Sequence, residues 1–158
     1  METEADKAPA LTIAALRPQH EERWRRLWRQ YLDFYEVDLP ECVTAHTWRN
    51  ILENENVLGL GASRSSGLVG FAIVILHEAT WSVRRNAYLE DLFVRRDERG
   101  RGVGRRIIDH LIHRARADEW GTLYWHTQSS NTGARRLYDQ FCQADDFVRY
   151  RLMIRGSA

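Results

Sequence analysis

Six consecutive residues, Gly100-Arg101-Gly102-Val103-Gly104-Arg105, combine what a phosphate site needs: backbone free to fold around an anion and positive charge to hold it. The apolar stretch Leu89-Glu90-Asp91-Leu92-Phe93-Val94 precedes them, and Val103, Ile107, Ile108, Leu111, Ile112 and Ala115 follow at helical spacing. A strand therefore enters the glycine turn and a helix starts inside it. The first amides of such a helix lack intrahelical acceptors and carry roughly half a positive charge, so a pyrophosphate placed there meets N–H donors and a favourable dipole. Arg101 and Arg105 add mobile charge at the same end. Spacing excludes two other phosphate loops. A P-loop requires Gly-x4-Gly-Lys-Ser/Thr, whereas these glycines are two apart and no lysine follows. A dinucleotide fingerprint read from Gly102 would need its third glycine where Ile107 stands.

The elements that must carry this turn follow from apolar periodicity. Leu11 to Leu16 reads as a first strand, ended by Arg17-Pro18. A helix from about Gln19 to Phe34 lines up Trp24, Leu27, Trp28, Tyr31 and Leu32 as a core-facing stripe. Pro40 interrupts the next acidic segment, and Thr44 or Thr47 is the expected cap of a second helix carrying Trp48, Ile51 and Leu52. Val57 to Ala62 and Leu68 to Leu76 flank the turn Arg64-Ser65-Ser66-Gly67 as a hairpin, and Ala87 to Val94 is the fourth strand. A long helix from Val103 to about Trp120, a strand from Leu123 to Thr127, a helix from about Thr132 to Phe141 and a last strand from Phe147 to Ile154 complete the chain. The order β-α-α-β-β-β-α-β-α-β defines an α/β or α+β fold.

The length, 158 residues, suits one domain with a single core, expected over residues 10–158 after a polar, disordered tail at 1–9. A net charge of +1 argues against a strongly basic nucleic-acid surface. Lys7 is the only lysine, so 22 of the 23 basic residues are arginines with permanent charge. Cys42 and Cys142 lack metal-ligand spacing, as do the six histidines, and no long apolar run or signal segment is read, so the expected setting is a reduced cytoplasm without membrane or metal.

The pattern Arg99-x-x-Gly102-x-Gly104 resembles the Arg/Gln-x-x-Gly-x-Gly/Ala signature of the Gcn5-related N-acetyltransferases, the GNAT superfamily. Tyr88 to Val94 is similar to the strand before the pyrophosphate loop in diamine acetyltransferases and a fungal histone/polyamine acetyltransferase subgroup. Tyr124-Trp125-His126-Thr127 and Asn131-x-x-Ala134-x-x-Leu137-Tyr138 resemble that family's fifth strand and following helix. The resemblance implies a mixed, mostly antiparallel sheet of six to seven strands, splayed between the fourth and fifth and flanked by about four helices. It implies acetyl-coenzyme A as cosubstrate, bound at Arg99, Gly100, Arg101, Gly102, Val103, Gly104 and Arg105, along the main chain of Leu92, Phe93 and Val94, and by Asn131. A homodimer is also implied.

Acetyl transfer to an alkylamine of pKa near 10.4 begins with a proton to remove, at a cost on the order of 4–5 kcal/mol at pH 7. The resemblance places Glu90 at the amine as general base, directly or through water, with anchoring of a cationic acceptor as the alternative. Asp91, alternating to the opposite strand face, is not expected to share this role. Tyr138 is the implied general acid for the leaving thiolate. One departure is Cys142-Gln143, where the family usually has Gly and an aromatic residue, which weakens the expected helix end. Asp33, Glu36, Asp38 and Glu41 lie near Tyr31, Phe34 and Tyr35, in the region the family uses as an acceptor wall. With Glu90 they favour a cation, so Tyr35 and Glu36 join Glu90 as expected acceptor residues for a polyamine, a small cationic amine or a lysine side chain, and Trp81, in Thr80-Trp81-Ser82, is added by its resemblance to the fungal and diamine subgroup. The competing classes are a noncatalytic acyl-coenzyme A sensor and an arginine-rich nucleic-acid module using Arg84, Arg85, Arg95, Arg96, Arg135 and Arg136.

Overall fold

The computed structural model describes residues 10–154, so the tail expected at 1–9 lies outside the described residues. The chain divides into two compact units, up to His126 and from Thr127. Among the described residues no helix is long and apolar enough to cross a membrane.

The first unit is a mixed α/β structure built on one sheet in the order β1-β2-β3-β4-β5, with β1 Thr12–Ala15, β2 Val57–Arg64, β3 Gly67–His77, β4 Asn86–Val94 and β5 Thr122–Trp125. Pairing is antiparallel from β1 to β4, and β5 joins β4 in parallel. The β2–β3 hairpin closes at Gly67, whose φ of 111° only glycine adopts without strain. Three helices flank the sheet: α1 Glu21–Phe34, α2 Glu41–Glu53 and α3 Val103–Ala117. The second helix starts before both expected threonine caps, because Pro40 occupies the N-cap and Glu41 the first turn. Thr44 instead faces inward, where its hydroxyl accepts the Trp28 Nε1–H at 3.2 Å.

Two cores form, one on each sheet face. Val103, Ile107 and Leu111 of α3 pack with Leu60, Val74 and Leu89 in an aliphatic cluster. Trp24, Leu27 and Trp28 of α1 and Trp48 of α2 pack with Phe71 and Phe93 in an aromatic one. The Trp24 and Trp28 rings stack at 5.2 Å, and Trp24 meets Trp48 at 4.9 Å.

In β4, Ile73 of β3 pairs with Asp91 while Val74 pairs with Leu89, so Glu90 is an extra residue without a β3 partner. This bulge shifts the alternation by one. Ala87 and Leu89 enter the aliphatic core before it, Leu92 and Val94 after it, and Phe93 turns to the aromatic side. The β5 pairing stops at Leu89, so Glu90–Val94 has no β5 partner.

The second unit contains α4, Thr132–Tyr138. Asn131 caps it by accepting the Ala134 N–H at 3.2 Å. The helix ends three residues before the expected Phe141, consistent with the missing glycine cap. The strand expected at Phe147–Ile154 is not formed, so the sheet has five strands among the described residues rather than six to seven. The segment has strand-like apolar content, but a strand exists only through a paired ladder, and none of the described strands pairs with it. Its Phe147, Tyr150 and Leu152 are exposed.

Candidate active site

β4 delivers the chain directly into the phosphate turn. Gly100 and Gly102 have φ of 74° and 77°. A Cβ at either would meet nothing within 4 Å, so backbone conformation and not crowding demands glycine there. Gly104 already lies inside α3 and does not share that demand. Gly102 is the N-cap, no side chain caps the helix, and the first intrahelical bond is Arg106 N–H to Gly102 O at 3.0 Å. The amides of Val103 and Gly104 therefore lack intrahelical acceptors and are placed for an anion.

Buried polar contacts fix the approach to this turn. Glu98 is 7% exposed and holds Arg64 at 2.8 Å, with Arg101 at 3.9 Å. Arg99 donates Nε–H to the Val94 carbonyl at 2.9 Å, and its guanidinium lies 5.4 Å and 5.5 Å from the Phe34 and Phe93 ring centres. Arg99 thus joins the end of α1 to the end of β4. Arg105 is half-exposed, 3.9 Å from Asp109. Of the expected main-chain trio Leu92, Phe93 and Val94, all lie on the half of β4 that β5 leaves open, and Val94 already serves Arg99.

The bulge brings Asp91 to the aromatic face, contrary to the alternation expected from sequence. Its carboxylate accepts the Tyr31 hydroxyl at 2.6 Å. Burial, opposed by that hydrogen bond and reinforced by the Glu90 charge, pushes the Asp91 carboxyl up to about 6. Burial likewise pushes the Tyr31 phenol well above its usual range, with the Asp91 and Glu90 charges adding to it. Tyr35 is raised by burial and by Asp91, and its ring meets Tyr31 edge-on at 5.1 Å. Glu90 itself is exposed. The structure therefore gathers Glu90, Asp91, Tyr31 and Tyr35 around the bulge.

Other expected acceptor residues are not gathered there. Trp81 is 99% exposed in the β3–β4 connection and has no ring contact among the described residues. Glu36 lies in the turn after α1 at φ 54°, exposed. Glu41 is committed to Arg25 at 2.7 Å, which removes it from any acidic wall. In the second unit the Asn131 amide oxygen is occupied by its capping bond, and Tyr138 is the last residue of α4.

Sequence reasoning left Asp91 out of the site and missed its pairing with Tyr31. The signal for Asp91 was present as a phase slip: Ala87 and Leu89, then Leu92 and Val94, are period-two pairs separated by three positions.

The model of the acetyltransferase (GNAT) family matches residues 20–142. A D-amino-acid N-acetyltransferase of Saccharomyces cerevisiae is 32% identical over 146 residues, covering 89% of each chain. A thialysine N-epsilon-acetyltransferase of Caenorhabditis elegans is 27% identical over 127 residues, 80% of this chain and 79% of that one. The crystal structure of a ribosomal-protein-alanine N-acetyltransferase from Brucella melitensis biovar Abortus superposes with a TM-score of 0.78 at 25% identity, over 92% of this chain and 100% of the other.

Proposed function

Because the chain belongs to the acetyltransferase (GNAT) family, we propose that it transfers the acetyl group of acetyl-coenzyme A directly to the primary amine of a small molecule, with Glu90 at the amine. The observation that carries this reading is the end of the β4–β5 ladder at Leu89, with the bulged Glu90 next to it and the uncapped α3 amides beyond the far end of the same strand. The pyrophosphate sits on the amides of Val103 and Gly104, with Gly100 and Gly102 shaping the turn and Arg101 and Arg105 supplying charge. The pantetheine arm runs along the open edge of β4 and pairs with the main chain of Leu92 and Phe93.

The thioester then lies beside Glu90. The amine gives a proton to Glu90, directly or through water, and its nitrogen bonds to the thioester carbon. As the tetrahedral intermediate collapses, the C–S bond breaks, the thiolate takes a proton, and the second proton lost by the nitrogen restores the thiolate's donor. Tyr138 is assigned as that donor from its place in Asn131-x-x-Ala134-x-x-Leu137-Tyr138, and Asn131 as a contact of the pantetheine arm. Both assignments rest on the family pattern.

The negative groups nearest the transfer point are Glu90 and Asp91, which suit an acceptor that arrives as an ammonium. D-Amino acids and thialysine, the acceptors in the names of the two relatives, therefore belong in an assay panel with a polyamine and a lysine-containing peptide. Purified protein with acetyl-coenzyme A should release thiol only when a suitable primary amine is present and yield the acetylated amine by mass. Binding of acetyl-coenzyme A with no transfer to any member of the panel would favour the noncatalytic sensor.

A further inference from the structure

We propose that Asp91 binds the ammonium group of the acceptor, aimed by Tyr31 as its positioning residue, while Glu90 takes the proton from the amine held there. This rests on the acetyl-transfer reading above and narrows its acceptor to amines that arrive charged.

The bulge places the two carboxylates. Side chains alternate along a strand, and Leu89 and Leu92 both pack with the aliphatic core, so Glu90 and Asp91 between them face the other side. A regular strand would send one of two neighbours to each face; the extra residue at Glu90 sends both to the aromatic one. Tyr31 reaches Asp91 there. Its ring meets Phe71 at 5.8 Å and Phe93 at 5.9 Å, both edge-on, and its hydroxyl donates to Asp91 Oδ1 at 2.6 Å.

A carboxylate withdrawn from water for a structural purpose is treated differently in this fold. Buried Glu98 holds the Arg64 guanidinium at 2.8 Å, with Arg101 at 3.9 Å, so its charge is met within the chain. Asp91, half-buried, forms no ion pair among the described residues, although 22 of the 23 basic residues of the chain are arginines. Arg99 lies over the Phe93 ring on the same face, yet its Nε–H goes to the Val94 carbonyl and its guanidinium rests between Phe34 and Phe93. What Asp91 receives instead is a neutral phenol, which orients one oxygen and cancels no charge. Its other oxygen has no partner among the described residues and is not sealed from solvent. A carboxylate in such surroundings is unfavourable until a cation meets it. The cation is left for the ligand to bring.

An alkylammonium fits that vacancy and the reaction. One N–H donates to the open Asp91 oxygen, and a second is presented to Glu90, which is exposed and passes the proton on to water. The nitrogen lone pair is then free to attack, while ionised Asp91 keeps the nitrogen in place. The titratable groups facing Asp91 are Tyr31 of α1, Tyr35 at its end and Glu90 beside it, and its β3 partner is uncharged Ile73. Burial lifts the Asp91 carboxyl, the Tyr31 bond draws it back and the Glu90 charge adds to the lift, leaving it at about 6. Ammonium binding should therefore weaken as pH falls through that value.

Steady-state kinetics with an acetylated amine of the panel, at saturating acetyl-coenzyme A and from about pH 5 to 8, test the assignment. In the wild type KM for the amine should rise as pH falls through about 6. Asp91→Asn should raise KM above pH 6 by about tenfold or more with a smaller change in kcat, remove that pH dependence, and unfold at higher denaturant concentration than the wild type. A purely structural carboxylate would lose stability on this substitution. Tyr31→Phe keeps the ring and removes the bond that lowers the Asp91 carboxyl, so the rise in KM should begin at higher pH, with acetyl-coenzyme A affinity unchanged. Wild-type KM and pH dependence in Asp91→Asn, or an unmoved pH dependence in Tyr31→Phe, would overturn the ammonium assignment while leaving acetyl transfer in place. Absence of transfer to every amine would overturn the acetyl-transfer reading and this proposal with it.

Discussion

The two halves of β4 differ in a way that separates structure from chemistry. From Asn86 to Leu89 the strand is paired on both sides, to β3 and to β5. From Glu90 to Val94 it keeps β3 alone, begins with an unpaired bulge residue and ends on a carbonyl taken by Arg99. The first half is ordinary sheet interior, with its Ala87 and Leu89 buried in the aliphatic core. The second half has backbone groups and carboxylates to offer a ligand. An unpaired edge therefore needs no separate element; ending one ladder four residues into a nine-residue strand creates it.

The largest effect should come from the turn that the open half leads into. Gly102→Glu forces a side chain into positive φ and places negative charge at the α3 amides. Acetyl-coenzyme A affinity by calorimetric titration should fall on the order of a hundredfold or more. Wild-type affinity in a folded variant would remove the pyrophosphate from this turn.

Glu90→Gln keeps shape at the bulge and removes the proton acceptor. We expect kcat/KM for the amine to drop about a hundredfold with acetyl-coenzyme A affinity nearly intact, and most severely at low pH where fewer amines are neutral. An unchanged pH–rate profile would leave Glu90 as an anchor only.

Asp91→Asn tests the cost of the carboxylate that the bulge turns inward. The folded Asp91 carboxyl titrates at about 6 against 3.8 in an unfolded chain. Between those values the folded protein holds a proton that the unfolded chain has lost, so stability falls as pH rises from about 4 to 6 and stays lower above. The asparagine variant, still able to accept from Tyr31, should flatten that slope and gain on the order of 2 kcal/mol above pH 6 in denaturant titrations. A slope equal to that of the wild type would contradict the burial argument.

Tyr138→Phe should have the smallest effect, about a tenfold loss of kcat with little change in acetyl-coenzyme A affinity. Equal turnover when chemistry limits the rate would exclude the phenol as thiolate donor.

The two sheet faces also differ in how legible they were. The aliphatic face follows from local signals: Val103, Ile107 and Leu111 recur at helical spacing, and Gly100 and Gly102 mark the turn where the structure shows positive φ. Both the α3 start and the family signature could be read within a few consecutive residues. The aromatic face depends on long-range register. Tyr31 and Asp91 lie 60 positions apart, and a one-residue bulge decides that they meet. Alternation alone sent Asp91 to the wrong side. The expected cap at Thr44 failed for a similar reason, since Trp28, 16 residues away, claims its hydroxyl. At the other end of the chain, Phe147–Ile154 shows that strand-like composition does not supply a pairing partner.

Residue-resolved amide hydrogen exchange, with and without acetyl-coenzyme A, tests most directly the claim that the open half of β4 and the start of α3 together bind the cosubstrate. The account predicts slower exchange on ligand addition within Glu90–Phe93 and at Val103 and Gly104, with little change at Asn86–Leu89, where both ladders already exist. Unchanged exchange in both ligand-facing segments at saturating acetyl-coenzyme A, or slowing confined to Asn86–Leu89, would contradict it.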